Sequence, residues 1–388
     1  MQNFTYHTPT KVFFGRDTEK EVGRIIKDYG YKKIMLQYGK GSIKKNGLYD
    51  VIVSSLNENG IEFVEMGGVE PNPKVSFVRE AVKVARAEKV EIILAVGGGS
   101  VLDSSKCTEI GAMNDSDIWD IITGKGKAEK ALPVGCVLTI SAAGSEMSRS
   151  AVLTNTELNM KRGLGSDLNR CKFAICNPEL TYTVDKYQTA CGIVDIMAHT
   201  MERYFTPFEE TDLTDRLAEG LLKSVIESGR ILMTNPEDYN ARANMMWASS
   251  LSHNGLTGCF RRDALAVHQL EHALSGEFDH IAHGAGLAVL FPAWGRYVYK
   301  SNKPRFAQFA RRVWDVTEED DEKAALLGIE KMAEYFASLG MPTRLSDFGI
   351  ENVADRLADL CTFGKSRTVE SQIILGYDEI KDIFESCY

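Results

Sequence analysis

In the first half of the chain, short apolar runs alternate with stretches of helical spacing. In the second half, helical spacing stands almost alone. Residues 33–38 predict a strand, and residues 61–66 alternate apolar and polar positions as a half-buried strand does. From Val75 through Val78, Val82 and Ala85 the spacing becomes helical. Residues 90–96 are almost wholly apolar, which predicts a strand covered on both faces, and residues 134–139 predict another. This alternation points to a parallel, Rossmann-like α/β sheet. Beyond Asn177-Pro178-Glu179, β-branched runs nearly vanish. Residues 217–231, 241–251, 264–274, 306–316, 322–339 and 353–360 carry helical periodicity. We therefore expect an α/β domain over residues 1–182 and an all-α domain over residues 183–388.

At 388 residues the chain is long enough for two or three domains. Hydrophobic residues make up 44% and charged residues 26%, as in soluble globular proteins. The net charge of −9 argues against nucleic acid, whose phosphates favour a basic face. No apolar run reaches the ~18–20 residues that span a bilayer. The N-terminal residues have neither the basic nor the apolar segment of a signal peptide. Eight cysteines are scattered without a Cys-x-x-Cys pair, which removes the zinc-finger and redox-motif readings. Reduced thiols in a cytoplasmic protein are expected.

Gly97-Gly98-Gly99-Ser100 follows the buried strand directly, and residues 101–107 read as a helix. A strand, a glycine turn and a helix N-terminus make an anion site, because backbone N–H groups and the helix dipole favour phosphate. Small residues let a pyrophosphate approach the backbone. The loop is not Gly-x-Gly-x-x-Gly, so the standard dinucleotide fingerprint is absent. The first good strand ends in Tyr38-Gly39-Lys40-Gly41-Ser42-Ile43-Lys44-Lys45. An acid commonly holds the ribose 2′-hydroxyl of NAD near such a turn. This loop carries a hydroxyl and three lysines and no acid, which suits a 2′-phosphate.

The helical half holds the metal chemistry. Asp195 and His199 are four apart, as are His268 and His272, and residues four apart share a helix face. With His283 they offer several imidazoles and a carboxylate to one divalent ion, and His280 lies close by as a competing ligand. Nitrogen and oxygen donors suit Fe²⁺ and Zn²⁺ alike. His268-Gln269-Leu270-Glu271-His272 also fits the His-x-x-Glu-His pattern of a class of zinc proteases, a reading that leaves the glycine loop unexplained.

Taken in order, Gly97-Gly98-Gly99-Ser100-x-x-Asp103-x-x-Lys106, Gly144-Ser145-Glu146, Gly192-x-x-Asp195-x-x-x-His199, His268-x-x-x-His272 and His283-Gly284 resemble the iron-containing (group III) alcohol dehydrogenases. The likeness runs from residue 9 to the C-terminal helices and leans toward the NADPH-dependent butanol dehydrogenases and broad-range aldehyde reductases. It implies a dehydroquinate synthase-like architecture and the metal ligands Asp195, His199, His268 and His283. It implies a cofactor, NADP(H) in preference to NAD(H), held by Gly39, Gly41, Ser42, Gly97, Gly98, Gly99 and Ser100, with Asp103, Thr139, Lys161 and Leu180 along its path. His272 is implied as a proton relay beside the metal. The expected reaction is hydride transfer between NADP(H) and small primary alcohols or aldehydes, butanol and butanal among them, in a cleft between the two halves. A homodimer is implied, with residues 4–14 able to pair across subunits. Two departures stand out. One extra residue precedes His283, and Ala143 stands where the family has threonine. A lyase or synthase on the same fold is the alternative. It needs a basic pocket for a charged substrate, whereas Trp247, Phe260 and Trp294 suggest apolar surroundings.

Overall fold

The computed structural model describes residues 2–207, 210–261 and 264–388. Six strands form one sheet: β1 (Lys11–Phe14), β2 (Lys33–Gly39), β3 (Glu62–Val69), β4 (Ile92–Gly97), β5 (Val134–Leu138) and β8 (Phe173–Cys176). Their order is β1-β8-β5-β4-β2-β3, and every adjacent pair is parallel. Parallel strands need crossover helices, which cover both faces of the sheet. Residues of alternating parity therefore serve different layers. Ile34, Leu36 and Tyr38 of β2 pack with Ile25, Ile52 and Leu56. On the opposite face Gln37 donates to Ser104 Oγ at 2.8 Å, reaching the Gly99–Met113 helix. Each fully buried aliphatic side chain of such a core contributes about 1.5–3 kcal/mol. The expected strands over 33–38, 61–66, 90–96 and 134–139 all form, with no end shifted by more than three residues.

A two-stranded antiparallel hairpin, β6 (Ser150–Asn155) with β7 (Met160–Gly165), was not legible as strand pattern. A β-bulge interrupts the pairing of β2 with β3: Tyr38 lies opposite Gly67, but Gly39 lies opposite Val69.

The chain divides at Val184/Asp185 into two compact units, with the N-terminal residues up to Tyr6 grouped with the second. The sequence had assigned these residues to the α/β domain. Phe4 packs edge-on against Phe260, ring centroids 4.6 Å apart, and this contact ties the segment to the helical unit. That unit comprises the helices Lys186–Tyr204, Asp212–Thr234, Tyr239–His253, Ala266–Glu277, His283–Val298, Lys303–Val313, Asp321–Ser338, Ala354–Thr362 and Tyr377–Glu385. A short hairpin, β9 (Val369–Glu370) with β10 (Ile374–Leu375), is added to them. Its core is aromatic-rich around Phe205, Phe291, Trp294, Phe306 and Phe309. Buried Asp215 accepts from Arg261 and Arg305 inside this unit.

Candidate active site

The glycine turn is short because the Gly99–Met113 helix begins almost at once, with Gly98 as its N-cap. A Cβ on Gly98 would stand 2.2 Å from Ile140 Cγ2, and one on Gly97 2.5 Å from Val101 Cγ2, so only glycine fits at either position. At Gly99 a Cβ would meet Ala143 at an ordinary 3.5 Å. Parallel register sets Tyr38 opposite Val96 and Gly97 opposite Leu138. The loops beginning at Gly39, Gly97 and Thr139 therefore leave one edge of the sheet, where the carboxyl ends of α/β strands gather ligands. Thr139 is tied there by donating its N–H to Gly97 O at 3.1 Å.

Asp103 faces inward. Its Oδ1 accepts from Ser145 Oγ at 2.7 Å and its Oδ2 from Val152 N at 3.0 Å. Burial pushes this carboxyl up, opposed by nearby Lys106. The geometry makes Asp103 a brace between helix and hairpin. Fully buried Lys106 does similar service, its Nζ donating to Ser145 Oγ at 3.0 Å, Ser148 O at 3.2 Å and Ser150 O at 3.0 Å. Lys161 on β7 lies within electrostatic reach of Asp103, and Leu180 packs at the rim of the sheet's core.

The loop after β2 departs from expectation. Lys40 Nζ pairs with Glu70 Oε1 at 2.6 Å, and Lys44 Nζ lies 3.5 Å from Glu65 Oε2. Lys44 also sits over the rings of Tyr38 and Tyr49, 5.0 and 4.4 Å from their centroids, and both tyrosines donate to Glu65. Two of the three lysines thus have carboxylate partners supplied by β3 and the residue after it. A loop read alone could not show these partners.

In the helical unit, one carboxylate oxygen is the meeting point of three imidazoles. Asp195 Oδ1 lies 3.0 Å from His199 Nδ1, 3.4 Å from His268 Nε2 and 3.7 Å from His283 Nε2. Each ring has an acceptor at Nδ1. His199 faces the carbonyl of Asp195 at 2.9 Å, His268 faces Glu202, and His283 faces Glu271. For His268 and His283, donation from Nδ1 to a carboxylate leaves a lone pair on the Nε2 that approaches Asp195, as a metal ligand requires, whereas His199 approaches both Asp195 Oδ1 and Asp195 O with Nδ1. Asp195 Oδ1 and His268 Nε2 are buried without a well-aligned hydrogen bond. Such groups are costly inside a protein unless a cation satisfies them, so the donor set fits a divalent metal.

The electrostatics agree. Burial would raise the Asp195 carboxyl, but His199, His268 and His283 outweigh it and hold the carboxyl well below the usual range. Burial, with His268 close by, lowers His199. Burial would lower His268 as well, yet Glu202 and Asp195 overcome it and raise the imidazole to about 9. Positive charge is favoured at this ring.

Glu202 has a second task. The Ala266–Glu277 helix starts after Leu265, which is in the left-handed region (φ 45°) and offers no side-chain cap. Glu202 accepts from the first-turn amides of Val267 and His268 and so caps this helix from outside. On the next helix, Gly284 lies so close to the Lys186–Tyr204 helix that a Cβ would stand 2.2 Å from Cys191 O. This contact seats His283.

Residues 9–178 match the family model of iron-containing alcohol dehydrogenases, and residues 189–388 match the C-terminal model of the same family. The chain belongs to the iron-containing alcohol dehydrogenase family. Within this family, it is 42% identical to a probable NADH-dependent butanol dehydrogenase of Bacillus subtilis, over 97% of this chain and 98% of that one. It is 37% identical to an NADPH-dependent aldehyde reductase of Escherichia coli, over 90% of each. The crystal structure of an NADH-dependent butanol dehydrogenase of Thermotoga maritima matches with a TM-score of 0.96 at 41% identity, over 100% of this chain and 99% of that one.

His280 is exposed in the turn before His283, and its ring packs edge-on to Phe278. His283, not His280, faces Asp195. His272 lies beside His283, ring centroids 5.8 Å apart. The three aromatics expected near the site are dispersed. Trp247 is 41% exposed, Phe260 packs on Phe4, and Trp294 belongs to the aromatic core. Sequence reasoning missed Glu202 and also His253, whose ring packs edge-on against His199 at 4.1 Å. Glu202 had a signal, since Asp195, His199 and Glu202 at i, i+4 and i+7 share one helix face.

Proposed function

We propose that the protein interconverts small primary alcohols and aldehydes, butanol and butanal among them, with a nicotinamide dinucleotide as hydride partner and one divalent metal, Fe²⁺ or Zn²⁺. The convergence of three imidazoles on Asp195 Oδ1, two of them through an Nε2 backed by a carboxylate at Nδ1, carries the metal half of this reading. Asp195, His199, His268 and His283 would hold the ion, which supplies a Lewis acid to the substrate oxygen. Glu202 and Glu271 keep the Nε2 lone pairs of His268 and His283 available. Gly39, Gly41, Ser42 and Gly97 through Ser100 bind the dinucleotide, with the glycines admitting its phosphates to the backbone. His272, beside His283, is the group that passes a proton to or from the substrate oxygen.

Lysines in the loop after β2 support use of NADP(H). The partners Glu65 and Glu70 support use of NAD(H) as well. All eight cysteines are free thiols, which supports a reducing, cytoplasmic setting. The outer edge of β1, next to exposed Phe14, supports a homodimer paired through that strand. No described helix is long and apolar enough to cross a membrane.

The test is loss of reduced-cofactor absorbance with butanal, using metal-loaded protein and its His268→Ala variant. Turnover in the parent that falls at least a hundredfold in the variant is expected. Undiminished turnover in the variant would overturn the reading.

A further inference from the structure

The β2–β3 bulge leads to an inference about the cofactor loop, resting on the reading that this loop receives the adenosine ribose. Parallel pairing runs Tyr38 against Gly67 and then, one residue skipped, Gly39 against Val69. Gly68, at φ 105°, is the skipped residue. A bulge of this kind re-aims the residues that follow it. The residues just past the ends of the two strands are Lys40 and Glu70, and their side chains meet at 2.6 Å. Both remain substantially exposed, at 68% and 46%, so the pair faces solvent where a ligand can reach it.

We infer that Glu70 sets the choice between NADH and NADPH in this protein. The acid that NAD-selective sites usually carry at the end of their second strand is missing here, and the residue after β3 supplies one beyond the bulge. Its carboxylate can accept from a ribose 2′-hydroxyl, and it repels a 2′-phosphate. It also occupies Lys40, the loop's foremost cation. Lys44 does not replace Lys40 in that role, because Glu65 and the rings of Tyr38 and Tyr49 hold it. Binding NADPH therefore requires Lys40 to exchange Glu70 for phosphate, whereas NADH leaves the pair in place.

The experiment is fluorescence titration of NADH and NADPH into the parent protein, Glu70→Gln, the double variant Glu70→Gln with Lys40→Ala, and Glu62→Gln. Glu62 is an exposed carboxylate at the far end of the same strand and controls for net charge. Glu70→Gln should raise the ratio of NADPH to NADH affinity about tenfold, equivalent to ~1.4 kcal/mol. Adding Lys40→Ala should cancel most of that gain, and Glu62→Gln should stay within about twofold of the parent. A ratio in Glu70→Gln within twofold of the parent, with both dinucleotides binding, overturns this inference and leaves the proposed function standing. A parent that binds neither dinucleotide overturns both.

Discussion

Replacing Glu202 by glutamine should weaken metal binding without unfolding the protein. Glu202 serves His268 Nδ1 with one oxygen and the amides of Val267 and His268 with the other. Glutamine keeps the shape and one acceptor oxygen, so the helix cap is largely preserved while the negative charge behind the ring is lost. The elevation of His268 from 6.5 to about 9 sets the scale. It corresponds to roughly 3 kcal/mol favouring positive charge at the imidazole, net of burial. Glu202 and Asp195 share that effect. Losing the share of Glu202 should weaken metal affinity about tenfold, at the lower end of the ~10–100-fold typical of such supporting carboxylates. A divalent ion at Nε2 feels this field in the same direction as a proton. The assay is competition with a chromophoric chelator for Co²⁺ or Zn²⁺ at neutral pH, with circular dichroism on the metal-free variant as the folding control. A dissociation constant within twofold of the parent would refute the reasoning. Glu202→Ala, which also removes the cap, should lower the melting temperature of the metal-free protein where Glu202→Gln does not.

Three further outcomes are expected. Glu271→Gln should weaken metal binding less than Glu202→Gln does, because His283 is 26% exposed and water can replace part of the lost acceptor; the same chelator competition ranks the two. Gly98→Ala should lower dinucleotide affinity about tenfold or more, since its Cβ would sit 2.2 Å from Ile140 Cγ2, while leaving metal affinity unchanged in parallel titrations. Asp215→Asn should cost about 3–5 kcal/mol, because it leaves Arg261 and Arg305 buried without their carboxylate. Burial raises the Asp215 carboxyl, but the Gln308 hydrogen bond and the two arginines hold it below its ordinary 3.8. Its stabilisation is therefore present above that value and fades as pH falls through the lower folded-state value. Denaturant melts of parent and variant should converge only below pH 3.8.

How much the sequence disclosed depended on whether the physics was local. The strands around Ile34 and Ile93 announced themselves because covering on both faces demands continuous apolar runs. Asp195 with His199, and His268 with His272, were visible because helical spacing is a fixed geometric rule. The β6–β7 hairpin was not visible, since β7 is half-exposed without a clear apolar pattern and β6, although Ala151 and Leu153 are buried, is too short to stand out alone. The choice between His280 and His283 could not be read from spacing, because both follow His268 across a turn whose path sequence does not specify. The surroundings of the loop lysines were hidden for a related reason: Lys40 and Lys44 are paired with Glu70 and Glu65, distant in sequence and adjacent only through sheet pairing. Glu202 was overlooked although its helix face was known, because its target lies on another helix.

Lys106 gives the α/β unit a built-in reporter of opening. Its ammonium is sealed from solvent and shared among oxygens of residues 145 to 150. While those contacts hold, an amine-reactive label or an acetylating agent cannot reach it, although the chain's exposed lysines remain open to attack. The label will enter at Lys106 only when the segment beside the glycine turn comes away from the helix. The rate of modification at this one amine, followed by mass spectrometry, therefore measures how often the braced nucleotide-side scaffold breathes, in a protein whose overall fold remains intact.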